Sequence, residues 1–231
     1  MNSDLLRSKS HEIIKSLEYL NQENPSIFNA LEGKTSNARV ATVLIDNAQI
    51  TAIKPQDITI NVVNVMANEF CFSINDGAEK SVSSNVVSLE TGVSIVLHDI
   101  GVAEISFKRQ TEPLISGIIQ LTNAINAAIY SFNENTDGCR RFSKDLMHIS
   151  HTFASSMLRT GIRVDIDGFW NLDMNKLQRA AEDGKMPTLF SNKNFSVGMG
   201  IERIAIKAAY SNFYINTPYP VETGTTVKSF A

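Results

Sequence analysis

Basic and aromatic side chains alternate at several places in the second half of the chain. Lys108 and Arg109 directly follow Phe107, and Phe142 directly follows Arg141. Arginine and lysine bind phosphate groups, and exposed aromatic rings provide surfaces on which unpaired bases stack. This pattern predicts phosphate contacts from Lys108, Arg109, Arg140, Arg141, Lys144, Arg159 and Arg163, and stacking from Phe107, Phe142 or Trp170.

The same residues also have a purely structural interpretation. Phe142 and Trp170 would then belong to the hydrophobic core, and the arginines would pair with nearby carboxylates. Those carboxylates are Asp137, Asp145, Asp165 and Asp167. Both interpretations fit the residue types, and they differ in whether the rings are exposed.

Charge is distributed unevenly along the chain. The net charge is −3, which argues against a wholly basic nucleic-acid binder. Residues 1–100 contain 7 Lys and Arg against 12 Asp and Glu, and residues 101–231 contain 14 against 12. A basic surface in the second half is therefore compatible with the overall balance.

Two histidines have the spacing of a partial metal site. His148 and His151 lie three residues apart on a predicted helix, with Asp145 one turn earlier and Cys139 nearby. Two such side chains could bind one metal ion, but no second pair of ligands follows at a suitable spacing. We therefore predict that these histidines face solvent or cap the helix, with no metal bound.

Other short patterns match binding motifs only in part. Asp165 and Asp167 could bind a divalent cation, but the Asn and Gly pattern of a calcium loop is missing. Gly198 and Gly200 lack the third glycine and the lysine of phosphate-binding loops. No Gly-x-Ser-x-Gly motif of a serine hydrolase is present. These patterns support no enzyme class, and we predict no cofactor.

Hydrophobic periodicity predicts an α+β fold with a sheet-rich first half and a helical second half. Helical spacing of apolar residues predicts a helix over residues 3–21. Short strands follow over residues 38–108 at intervals of roughly 8–12 residues, which predicts an antiparallel twisted sheet or a partly open barrel. Packed helices are predicted over residues 111–212. They include helices at 111–132, 143–159 and 173–183, whereas residues 201–212 are compatible with helix or strand.

Several details of the sheet are also predicted. The alternation slips by one residue at Val62-Val63, as it does at a β-bulge. Asn75-Asp76-Gly77 predicts a tight turn. A hairpin around Asp46-Asn47 would join strands at residues 40–45 and 50–53.

The helix over residues 111–132 has the clearest apolar face. Every third or fourth residue is large and apolar, namely Leu114, Ile118, Leu121, Ile125 and Ile129. We expect this face to pack across the sheet, because an amphipathic helix buries its apolar side against its neighbours.

Length and composition fit a folded chain of one domain, which we place at residues 1–213. An extended tail, residues 214–231, would bind a neighbouring copy. The chain has no apolar run of about 18 residues, so no transmembrane helix is predicted. Two cysteines are too few for a disulfide framework, which favours a reducing cytoplasm.

The strand from Glu90 to Leu97, a further strand and the helix from Thr111 to Phe132 together resemble the closing half of Whirly-type proteins. The resemblance covers about residues 80–132 and implies binding of single-stranded nucleic acid on a curved sheet, with assembly through helices. The Lys-Gly-Lys-Ala motif of that family is absent. No functional residue is carried over.

These observations predict a non-enzymatic protein that binds single-stranded nucleic acid, with RNA favoured, and that associates with itself. The abundance of Asn, Ser and Ile favours a viral or phage protein acting in the host cytoplasm. The alternative is a structural or assembly protein of a virion or another homo-oligomer that binds no nucleic acid.

Overall fold

The protein folds into two β-sheets, a β-hairpin and a group of helices in a computed structural model. The structure describes residues 2–21, 28, 30–47, 56–66, 69–90, 92–132, 137–191, 196–210 and 214. The strands are β1 Leu31–Thr35, β2 Ala41–Ile45, β3 Asp57–Met66, β4 Glu69–Ile74, β5 Lys80–Val82, β6 Val86–Glu90, β7 Val93–Leu97, β8 Gly101–Arg109, β9 Ile162–Val164 and β10 Trp170–Leu172. The helices are α1 Asn2–Leu20, α2 Glu112–Phe132, α3 Asp137–Thr152, α4 Ala154–Arg159, α5 Met174–Glu182, α6 Pro187–Phe190 and α7 Val197–Tyr210. The predicted α+β class is confirmed.

The sheets are antiparallel and lie face to face. One has the strand order β1-β8-β3-β4-β5, and the other has the order β2-β7-β6. Strands β9 and β10 form a separate antiparallel hairpin. Over the described strands the sheets do not close, so the open arrangement is correct and the barrel is not formed.

Alternation of apolar and polar residues fixes the inner faces of this sandwich. Ala103, Ile105 and Phe107 of β8 are buried, and the residues between them are more exposed. Gly33 of β1 faces the other sheet so closely that a Cβ atom would lie 2.8 Å from Val43 Cγ1. Glycine therefore allows β1 and β2 to approach each other across the two sheets.

Two details of the sheet prediction are confirmed. The pairing of β3 with β4 shifts register between Val62 and Asn64, so Val63 is the extra residue of a bulge. Asn75 and Asp76 have φ values of 50° and 57°, which are left-handed conformations that Asn and Asp tolerate in tight turns.

The apolar face of α2 packs against helices, and the expectation that it crosses the sheet was wrong. Leu114, Ile118, Leu121, Ile125 and Ile129 are buried in a core cluster with residues of α1, α3, α5 and α7. A separate cluster lies between the two sheets. The three-stranded sheet already covers the apolar face of the five-stranded sheet, so no apolar surface there requires a helix.

Helix boundaries differ from the prediction in one region. The helix expected over 143–159 begins earlier, at Asp137, so Ser143 is a buried residue within it. A break at Phe153 divides it into α3 and α4. The predicted helices over residues 3–21, 111–132 and 173–183 are confirmed as α1, α2 and α5, and residues 201–210 prove helical.

Other sequence predictions have mixed outcomes. Strand β1 was missed, because it lies before the predicted strand region of residues 38–108, and within that region β5 and β6 belong to different sheets. The strand expected at 50–53 and the tail after residue 214 lie outside the described residues. The division into domain and tail stays a prediction. Among the described helices, none is long and apolar enough to cross a membrane.

Candidate interaction surfaces

The three predicted stacking rings are buried. Phe107 lies in the core between the sheets, and Phe142 and Trp170 lie in the helical core. The indole Nε1 of Trp170 donates a hydrogen bond of 2.9 Å to Ser150 Oγ. Phe142 contacts Phe132 edge to face. Both Phe142 and Trp170 are core residues, as the structural interpretation expected, and none of the three rings presents a face for stacking.

The predicted phosphate-binding residues lie on several elements. Those on the surface are Lys108, Arg140, Lys144, Arg159 and Arg163. Arg109 is half-buried, and its Nη1 donates a hydrogen bond of 3.1 Å to the carbonyl oxygen of Phe28. Arg141 is also half-buried. It lies within α3, since that helix begins at Asp137. Phosphate binding by these residues stays a prediction.

Glycine at residue 161 allows the turn after α4 to lie against the first turn of α5. Gly161 has a φ of +90°, and a Cβ atom there would lie 2.6 Å from the backbone nitrogen of Leu177. Its carbonyl oxygen accepts a hydrogen bond of 2.8 Å from the backbone N–H of Asp173. The Asp173 side chain in turn caps α5 by accepting from the backbone N–H of Lys176 at 3.1 Å.

A surface cleft of about 470 Å³ opens beside this junction. We call it the basic cleft. Its lining combines apolar side chains with two cations and consists of Leu158, Gly161, Arg163, Asn171, Leu172, Asp173 and Lys176. Arg163 and Lys176 are exposed, and Lys176 Nζ lies 3.8 Å from Asp173 Oδ2. Because one carboxylate accompanies two cations, the lining carries a net positive charge.

The turn between β9 and β10, residues 165–168, projects an apolar side chain into solvent. The Ile166 side chain is 88% exposed. Asp165 Oδ1 accepts from the backbone N–H groups of Asp167 at 3.0 Å and Phe169 at 2.9 Å. Gly168 adopts a φ of +82°, which completes the turn. The Asp165 carboxylate therefore fixes the turn geometry.

The residues of the partial metal-site pattern differ in their burial. His148 and His151 are exposed on α3, whereas Cys139 is buried. Over the part of the chain that the structure describes, no group of three or more His, Cys, Asp or Glu side chains could hold a metal ion.

One end of the β3–β8 pair exposes three large apolar side chains, which we call the sheet-end patch. Val63, Ile100 and Val102 are 42%, 56% and 53% exposed. The ladder between the strands ends at the pair Val62–Gly101, so Val63 and Ile100 follow it directly. The exposed carboxylates of Asp99 and Glu104 flank Ile100 and Val102 in the sequence.

Residue 214 is fixed to the helical core. The hydroxyl of Tyr214 donates a hydrogen bond of 2.7 Å to Asp145 Oδ2, and its ring packs edge to face on Phe142. Burial, reinforced by the carboxylate of Asp145, holds the pKa of Tyr214 above its usual range. This contact could not be predicted from the sequence, because residues 145 and 214 are far apart along the chain and no local pattern joins them.

Comparison with known proteins identifies a solved structure with a similar fold. No family model and no curated protein matches the chain. The chain is similar to the solved structure of the D1-D2-D3 domains of the flagellar cap protein FliD from Escherichia coli, with a TM-score of 0.61 and 14% sequence identity. The similarity covers 89% of this chain and 95% of that one. At this identity the similarity shows a shared fold alone, and it does not bear on the resemblance to Whirly-type proteins.

Proposed function

We propose that this chain is a structural subunit that associates with copies of itself. The sheet-end patch carries the proposal, because Val63, Ile100 and Val102 expose apolar surface at one end of one sheet. Isolated exposed apolar residues are common, but contiguous apolar patches on soluble proteins mark sites of interaction. Association would remove these side chains from water, and this burial is the main favourable contribution to protein assembly.

Two further observations support a structural role. The fold is similar to that of a flagellar cap protein. The rings predicted to stack on bases are buried, and they stabilise the two cores instead.

A double substitution of the sheet-end patch, Ile100→Ser with Val102→Ser, tests the proposal. Light scattering over a concentration series should show the mass of the wild type rising above 25.5 kDa, with a weaker rise for the variant. Ile206→Ser is the matched control, because Ile206 is comparably exposed but lies on α7. A wild-type mass that stays at 25.5 kDa at every concentration would refute self-association.

Binding of single-stranded nucleic acid stays the second proposal. The exposure of Lys108, Arg159 and Arg163 supports it. If these cations contact phosphates, affinity should fall by about 0.7 decade per decade of salt for each phosphate neutralised. The double variant Lys108→Ala with Arg159→Ala, at two exposed positions outside the basic cleft, should then weaken binding to all sequences alike. Binding that does not depend on salt would refute the proposal.

A further inference from the structure

We propose that two copies of this chain pair by inserting Ile166 of each copy into the basic cleft of the other. This inference rests on the proposed self-association and assigns it a specific contact. The occupant of the cleft is the 165–168 turn of a second copy.

The turn has the properties of an anchor for a partner. Ile166 is the most exposed of the large apolar side chains in the described parts of the chain. Hydrogen bonds from Asp167 and Phe169 to the Asp165 carboxylate hold the turn in one conformation. A turn that is already ordered loses little conformational entropy on binding, so more of the contact energy contributes to affinity.

The basic cleft matches this turn in both polarity and charge. Leu158 and Leu172 provide apolar walls for the isoleucine side chain. Arg163 and Lys176 lie in the same lining, and Asp165 and Asp167 flank Ile166 in the sequence. The Asp165 carboxylate is held by its own turn and by Asn171, so docking would place the exposed Asp167 carboxylate near the two cations beside an apolar centre. Such complementarity fixes partner choice and orientation.

The positions of turn and cleft favour a reciprocal pair. Arg163 on β9 precedes the turn by two residues, and Asn171 and Leu172 on β10 follow it closely. Two surfaces so near each other can both be used at once around a two-fold axis, where each copy gives and receives the same contact. The wide exposure of Ile166 shows that the turn does not fill the cleft of its own chain.

Charge reversal tests the reciprocal pair directly. Arg163→Glu and Asp167→Arg should each weaken self-association about tenfold or more, because each places like charges at both contacts. In an equal mixture of the two variants, a mixed pair restores opposite charges at both contacts. The mixture should therefore associate nearly as well as the wild type, in sedimentation velocity runs at matched total concentration.

Two controls keep the result interpretable. Circular dichroism and thermal melting should show that both variants fold like the wild type, since both positions are exposed. Lys80→Glu, an exposed charge reversal on β5, should associate like the wild type. A folded mixture that associates as weakly as either variant alone would refute the pairing.

A second variant separates this inference from the proposed function. Ile166→Ser should weaken the pair, with Ile206→Ser as its control. If Ile166→Ser associates like the wild type while the sheet-end double variant does not, self-association is correct and the reciprocal contact is wrong. If the wild type stays monomeric at every concentration, both are wrong.

Discussion

The side-chain amide of Asn126 forms two hydrogen bonds with the backbone of Trp170. Its Oδ1 accepts from the Trp170 N–H at 2.8 Å, and its Nδ2 donates to the Trp170 carbonyl oxygen at 2.9 Å. The β9–β10 hairpin has two strands, and among the described strands none pairs with the other edge of β10. Asn126 pairs with that edge and fastens the hairpin, with its projecting turn, to α2.

Replacing Asn126 by Ala should loosen this attachment. Both backbone groups of Trp170 would lose their partner, and each buried polar group left unsatisfied costs about 1–3 kcal/mol. We expect a lower free energy of unfolding and faster amide hydrogen exchange in the hairpin. Asn123→Ala, an exposed neighbour on the same helix, is the control. Unchanged exchange in residues 162–172 would contradict this role.

Truncation of Ile125 should destabilise the helical core. Its side chain is fully buried in the cluster that α2 shares with the other helices. Ile125→Ala should lower the free energy of unfolding by about 2–5 kcal/mol, the range for a cavity left by a large apolar side chain. Tyr130→Ala should have little effect, because Tyr130 is exposed on the same helix. Equal denaturation midpoints for the two variants would show that the core is packed differently.

Tyr214 should make stability depend on alkaline pH. Its pKa is raised in the folded state, so the unfolded chain releases the proton first. The stabilisation is fully present below the usual tyrosine pKa of about 10 and is lost as pH rises above it. The difference in unfolding free energy between the wild type and Tyr214→Phe should shrink from pH ~8 to pH ~11. A constant difference would exclude this linkage.

Trp170 allows a direct test of base stacking. It is the single tryptophan of the chain, and its ring is buried against the helical core. Addition of a single-stranded oligonucleotide should therefore leave its fluorescence unchanged, because a base cannot reach the ring. Strong quenching at saturating oligonucleotide would contradict the observed burial and favour the stacking role.

Local sequence patterns predicted the strands and helices in which hydrophobic periodicity and secondary-structure propensity indicate the same element. Strand β7, Val93–Leu97, lies within the strand predicted from Glu90 to Leu97, and the bulge at Val63 follows from two adjacent valines that break the alternation. The start of α2 follows from Glu112 and Pro113 in a first turn. These features depend on interactions over a few residues.

Features set by distant contacts could not be predicted. Strand β1, with the sequence Leu-Glu-Gly-Lys-Thr, has weak strand propensity and forms because all five of its residues pair with β8. The partner of the α2 apolar face depends on how the sheets cover each other, which periodicity does not reveal. An aromatic residue beside arginines can be buried or exposed, and Phe142 is buried because it contacts Phe132 and Tyr214.

The interaction surfaces were predicted only in part. The residue types predicted phosphate binding by Arg163 and considered cation binding at Asp165 and Asp167 only as a partial match. The exposure of Ile166 could not be predicted, because it depends on a turn whose conformation the Asp165 carboxylate fixes. An isoleucine between two aspartates at a turn is the signal that could have indicated an exposed apolar anchor.

Sedimentation equilibrium of the nuclease-treated wild-type protein tests the central claim most directly. Nuclease treatment removes any bound strand, so that the measured mass reports protein–protein association alone. Self-association predicts an average mass that rises with concentration, through pairs, above the 25.5 kDa of one chain. A mass of 25.5 kDa at every concentration, with absorbance that drops on nuclease treatment, would contradict it and favour nucleic-acid binding.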